Sequence, residues 1–119
     1  MKYFVAVIIS RKGKFLVKKV NNKIEFPIFE FKKDNSYLLK TLFRVLDEKM
    51  NIIPYEIFLV KRITWKNEII NIYCIKKFRG KIKKKFVWIS KKLIENNLSS
   101  LSRRILNEIE KHKNSIINN

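Results

Sequence analysis

Four carboxylates stand out along one stretch of the chain: Glu30 and Asp34 in "FEFKKDNS", then Asp47 and Glu48 in "RVLDEKMNI". Acids three and four residues apart share one helical face, and such a stripe presents oxygen ligands to a hard cation such as Mg²⁺. Two outcomes are open for these residues: they converge on a metal through a rearranged loop, or each is a solvated surface group. The other reactive side chains offer less. Cys74 lies inside the apolar run "IINIYCI", the setting of a buried strand thiol rather than a nucleophile or metal ligand. His112 stands among lysines with no Cys, Asp or second His at ligand spacing, so a zinc site is not expected.

Cations dominate, with 28 Lys and Arg against 10 Asp and Glu and a formal net charge of +18. Such a surface draws polyanions and makes their binding depend steeply on salt. Nucleic-acid binding explains the excess; so does an AT-biased genome, which loads a protein with Lys, Ile and Asn together. Lys81, Lys83, Lys84 and Lys85 form the densest cluster, placed either to contact a DNA backbone or to shield a strand edge against aggregation.

The elements that must position these groups can be read from periodicity. Residues 3–9, "YFVAVII", make a nearly continuous apolar run, the pattern of a strand covered on both faces. A turn at "RKGK" and a return strand over residues 15–20 give an opening hairpin. Asn21 to Lys23 form the next turn, and "IEF" ends at Pro27, which cannot donate to a ladder. Apolar residues at helical spacing predict a helix from about Ser36 to Met50, with Asn51 in the left-handed position that ends it. Two strand-like runs joined at Lys66 to Glu68 make a second hairpin, and a turn at Arg79 to Lys81 leads into the strand "KKKFVWI". Ser90 caps a short helical turn, and Ser99 or Ser100 caps a C-terminal helix with Leu101, Ile105, Ile109 and Ile116 on one face. The order β-β-β-α-β-β-β-α predicts an α+β fold in a single domain over residues 1–113, followed by a frayed tail at 114–119.

Three pieces of this chain, in order, resemble a Nudix domain, the family of MutT-type nucleotide hydrolases and of the C-terminal domain of the adenine glycosylase MutY. "FLVKKV…IEFP" is similar to the family's strand, turn and "W-E-F-P"; "RVLDEKMNI" to "R-E-L-x-E-E-x-G-I"; "FVWIS…LSSLSRRIL" to the late "W-V-S…R-x-I-L" segment. The resemblance spans about residues 3–109. It implies an α/β/α sandwich with a mixed sheet, a helix after the third strand and a C-terminal helix. It also implies Mg²⁺ held by helix carboxylates against a pyrophosphate, where the ion neutralises charge and assists attack by water.

Counting from Pro27 without a gap puts Asp47 and Glu48 on the adjacent acid pair but turns Lys40 and Lys49 inward. Lengthening the loop by one residue aligns Arg44, Leu46, Glu48 and Ile52 with the motif. The second register is preferred because burying an unpaired lysine costs more than extending a surface loop. The three helix acids then become Val45, Glu48 and Lys49, the expected glycines after Pro27 become Ile28 and Phe29, and the loop acid falls near Asp34 or Asn35. Glu48 is the metal and catalytic candidate that remains, with Arg44 bracing a carboxylate.

"EFPIFEF" and "RITWKNEIINIYCI" lean toward the MutY C-terminal domain. By the resemblance, Lys18 and Lys19 face a nucleotide, Trp65 offers a face to an oxidised base or packs as a cross-strand aromatic, and Ser102 stands where a base-reading asparagine is expected. The implied function is handling of nucleotides or 8-oxoguanine in oxidative DNA damage avoidance, with an eroded metal box. The alternative is an active Mg²⁺-dependent 8-oxo-dGTP diphosphatase. The implied partners are a nucleotide or 8-oxoguanine-containing DNA and a separate DNA glycosylase chain. No run is long enough to cross a bilayer, and a cytoplasmic location is expected.

Overall fold

The computed structural model describes residues 1–32 and 38–112. Asp34, Asn35, the expected helix start at Ser36, Ile116 and the segment 114–119, expected to fray, lie outside the described residues. Among the described residues the elements are β1 (Lys2–Ile8), β2 (Ser10–Arg11), β3 (Lys14–Val20), β4 (Lys23–Glu25), β5 (Ile28–Phe31), α1 (Leu38–Met50), β6 (Ile53–Trp65), β7 (Glu68–Arg79), β8 (Phe86–Ser90), α2 (Lys91–Ile94) and α3 (Ser100–Lys111). The class is α+β, as expected.

The first sheet has the order β5-β1-β7-β6, with β1 parallel to β7 and the other pairs antiparallel, so it is mixed. The second is built on β3, which pairs with β2, β4 and β8. Successive side chains on β1 leave opposite faces. Val5 and Val7 pack toward α1 with Leu42, Leu46 and Met50, while Ala6 and Ile8 pack toward α3 with Ile105, Leu106 and Ile109. Both faces of β1 are therefore covered, which is why its sequence is a continuous apolar run rather than an alternating one. Burying each such leucine or isoleucine contributes about 1.5–3 kcal/mol.

Three two-residue loops carry positive φ at both positions, the geometry that matches the twist of a hairpin: Lys12-Gly13, Asn21-Asn22 and Lys66-Asn67. The expected turns fall at these places. The opening hairpin is different in kind. β1 is not the strand that β3 returns along: its edges are taken by β5 and β7, and at Ile9 the chain crosses into the second sheet, where two-residue β2 pairs with β3. β5 also departs from the expected loop after Pro27, so the first long helix follows the fifth strand rather than the third. The "KKKFVWI" strand is shorter than expected, since Lys84 and Lys85 lie in a turn and pairing begins at Phe86.

α3 is pinned where the two sheets meet. The Ile24 N–H donates to the Asn97 carbonyl (2.8 Å) and the Ser99 N–H donates back to the Ile24 carbonyl (3.1 Å). Ser99 caps the helix by accepting from the Ser102 N–H (3.3 Å), as the sequence suggests.

Candidate functional site

The C-terminal end of α1 brings together a carboxylate, a positive-φ turn and a basic loop. Leu42, Leu46 and Met50 recur every four residues and are fully buried, which turns Arg44, Asp47, Glu48 and Lys49 to solvent. Asn51 ends the helix with φ +61°, and its N–H donates to the Asp47 carbonyl (3.0 Å). Ile52 is then fully buried. This geometry fits the register with the longer loop: Asn51 stands where the motif has its glycine, and Leu46 and Ile52 occupy its apolar positions. The ungapped register would demand that backbone of Met50, a buried residue still within the helix.

The segment between β7 and β8 closes over this end. The Asn51 side-chain amide donates to the Lys81 carbonyl (2.8 Å), the Lys83 N–H to the Met50 carbonyl (3.2 Å), and the Lys83 ammonium to the Glu48 carbonyl (2.6 Å). Gly80, at φ +112°, lets the loop pass this closely, since a Cβ there would collide with the Asn51 carbonyl. Carbonyls at a helix C-terminus carry partial negative charge, and Lys83 meets them with an ammonium. The basic loop thus does a task that neither the DNA-contact nor the edge-shielding reading contains: it caps α1.

Mg²⁺ requires several oxygen ligands in near-octahedral array. In the supported register the box positions hold Glu48 with Val45 and Lys49. Val45 packs on the α1-side core, Lys49 is exposed, and Lys83 reaches over from the loop. Among the described residues no group of three or more His, Cys, Asp or Glu could hold a metal ion. Glu30 is exposed on β5 and Asp47 on α1. The described residues therefore do not fit a Mg²⁺ site of the kind the resemblance implies.

The other candidates do not all meet Glu48. Lys18 and Lys19 are neighbours on β3, so their side chains leave opposite faces and cannot grip one phosphate together. Lys18 is opposite Phe86, three residues from Lys83, which places it toward the α1 side. Lys19 lines a cavity of about 410 Å³ with Ile24, Ile89 and Leu93 on the other face. Trp65 is half-buried against the α3-side core, with the Lys66 ammonium 5.6 Å from its ring centroid. β6 begins directly after the α1 turn and Trp65 is its last residue, so the two lie on the order of 30 Å apart along the strand.

Ser102 is only 3% exposed and its hydroxyl accepts from the Phe26 N–H at 3.1 Å. Burial gives it the task of tying α3 to the sheet junction rather than touching a base directly. Half-buried Phe4, Ile28 and Leu101 pack on the same α3-side core as Trp65. Phe4 and Ile28 are adjacent rows of one face, because Ala6 is opposite Ile28, and together these residues make an apolar floor. No local sequence signal marks Phe4 and Ile28 as such, since the strands that join them are distant in the chain.

Two buried reactive groups have structural roles. Cys74 is 2% exposed, and burial pushes its thiol up to about 11. Glu108 on α3 is equally buried, with Lys111 (3.3 Å), Lys61 (3.4 Å) and Arg104 (3.9 Å) around it. Burial works to raise its carboxyl, but the ammoniums of Lys111 and Lys61 outweigh that and hold it below its ordinary value.

No family model matches the chain, and no curated protein matches it in sequence. Solved structures do. The C-terminal domain of mouse MUTYH, solved in complex with human PCNA, is similar with a TM-score of 0.74 at 13% identity, over 96% of this chain and 90% of that one. The MutT protein of Bacillus halodurans is similar with a TM-score of 0.71 at 15% identity, over 90% and 80% of the two chains. A MutT Nudix hydrolase from Burkholderia pseudomallei gives 0.67 at 14% identity, over 91% and 97%. The chain has the Nudix fold.

Proposed function

We propose that this Nudix-fold chain binds a nucleotide, or an 8-oxoguanine base in DNA, in oxidative damage avoidance, and that its metal box is eroded so that it binds without cleaving. The observation that carries this reading is the α1 end, where Glu48 stands with Val45 and Lys49 in place of further acids and Lys83 folded over it. Ammonium groups there repel Mg²⁺ and attract phosphate, which reverses the preference of a carboxylate stripe. Lys18 and Lys49 supply charge to a phosphate and Arg44 sits one helical turn from Glu48, whereas Trp65 with Phe4 and Ile28, at the far end of β6, offers an apolar face to a base of a longer strand rather than to the base of the same nucleotide. Ser102 acts as a positioning residue by fixing Phe26.

Residues 1–113 are taken as one domain in the cytoplasm. The similarity to a MUTYH domain solved with PCNA supports a protein partner in general, and the partner proposed here is a separate DNA glycosylase chain. The competing reading, an active Mg²⁺-dependent 8-oxo-dGTP diphosphatase, draws on the solvent-facing Glu48 carboxylate. Turnover of 8-oxo-dGTP and ordinary nucleoside triphosphates with Mg²⁺ or Mn²⁺ separates them. The expected result is no turnover above the Glu48→Gln control. Metal-dependent turnover abolished by that substitution overturns the non-cleaving reading.

A further inference from the structure

A second concentration of charge lies away from Glu48. The tip of the β2–β3 hairpin, the middle of β7 and the start of α2 enclose a pocket of about 390 Å³ lined by Arg11, Lys12, Gly13, Lys14, Lys76 and Lys91. Ser10 and Phe15 complete the lining, so five of its eight residues are cationic. Glu110 pairs with Lys91 at this wall.

The pocket is built rather than incidental. Lys12 and Gly13 take the two positive-φ positions of the turn, which leaves Arg11 and Lys14 paired across the strands. The Gly13 carbonyl accepts from the Lys91 N–H at 3.3 Å, so the hairpin tip is tied to α2. The Arg11 guanidinium stacks against two rings, 5.3 Å from the Phe78 centroid and 5.2 Å from that of Trp88. A guanidinium held on aromatic faces has already lost much of its freedom, so less is lost when it meets an anion.

We infer that this pocket holds a backbone phosphate of nucleic acid, as a site separate from the α1 end. Two features select a polymer over a free mononucleotide. Phe15, the aromatic residue of the lining, is 3% exposed and packs edge-on against Phe26, so no open aromatic platform is left for a base, and recognition falls on phosphate. Exposed cations follow on the adjoining segment: Arg11 lies against Phe78, the neighbour of Arg79, and Lys81, Lys84 and Lys85 come next in the chain. A chain of phosphates can engage these together with the pocket, whereas one nucleotide cannot. Binding is independent of base identity and stands whether or not the α3-side floor reads 8-oxoguanine.

The test uses the full chain and fluorescein-labelled, undamaged 20-nucleotide DNA, single-stranded and duplex, titrated by anisotropy across a salt series. Lys12→Glu with Lys14→Glu is compared with Lys2→Glu and Lys32→Glu, two exposed lysines at the other end of β1 that change net charge equally. The pocket pair is expected to weaken binding about 10-fold or more near 0.1 M salt and to lower the salt slope by about 2. The distant pair should cost under about 3-fold, consistent with loss of general attraction alone. Lys12→Gln with Lys14→Gln, milder on the turn, should give a smaller loss of the same kind and serves if the reversed pair misfolds by circular dichroism. Equal losses from both pairs overturn the site. So does absence of DNA binding by the unaltered chain at that salt, including the case in which tripolyphosphate binds through the pocket and DNA does not.

Discussion

Two helix ends are fastened to the sheets by the same device with opposite chemistry. At the start of α3, neutral groups do the work in the interior: Ser99 caps, Ser102 accepts from Phe26, and Ile24 exchanges backbone bonds with Asn97 and Ser99. At the end of α1, the fastening is solvent-facing and cationic, with Lys83 on the Glu48 carbonyl and Asn51 on the Lys81 carbonyl. The buried clamp can serve stability alone. The exposed one leaves the Lys83 ammonium at the Glu48 backbone carbonyl, so on the proposed reading it bears on what binds there as well as holding the helix. The difference shows that a loop read from sequence as mere surface charge can have a structural task.

That contrast ranks three perturbations. Ser102→Ala should be the most damaging, because it leaves the buried Phe26 N–H without an acceptor at a cost of about 1–3 kcal/mol, read as a lowered midpoint in urea. Glu108→Gln should cost about 1–2 kcal/mol at neutral pH, since it removes the charge that three cations face. Its folded carboxyl lies below the ordinary value near 4.5, so its stabilisation is full above that value and fades as pH falls through the lower folded one. Urea midpoints of the two proteins should therefore converge in acid. Lys83→Met should cost the least, about 0.3–1 kcal/mol, as expected of an exposed cation at a helix end, and the loss should shrink in high salt. A Lys83 effect exceeding that of Ser102 would collapse the distinction between the two clamps.

Much of this arrangement is legible in the chain. The doubly covered β1, the helix ending at Asn51, the turn at Lys66 and the Ser99 cap all follow from local rules about apolar period and positive φ. What is hidden depends on partners far along the chain. β5 is four residues directly after a proline, too short to show a period, and it becomes a strand because β1 has a free edge for it. The crossing at Ile9 looks like an ordinary hairpin, since a change of sheet leaves no mark in composition. Lys83 reads as one surface lysine among four until α1 is seen to end beneath it. Arg11 gives no hint of its two aromatic neighbours, which lie 67 and 77 residues away in the chain. The buried positions of α1 were decidable from sequence because they turn on apolar period, whereas the hydrogen bond of Ser102 depended on Phe26.

The most direct test measures the affinity of the chain for a nonhydrolysable 8-oxo-dGTP analogue by calorimetry, with and without Mg²⁺. Lysines serving in place of the ion predict binding that is unchanged or weakened when Mg²⁺ is added. Binding that needs Mg²⁺, and fails with it in Glu48→Gln, would contradict the account.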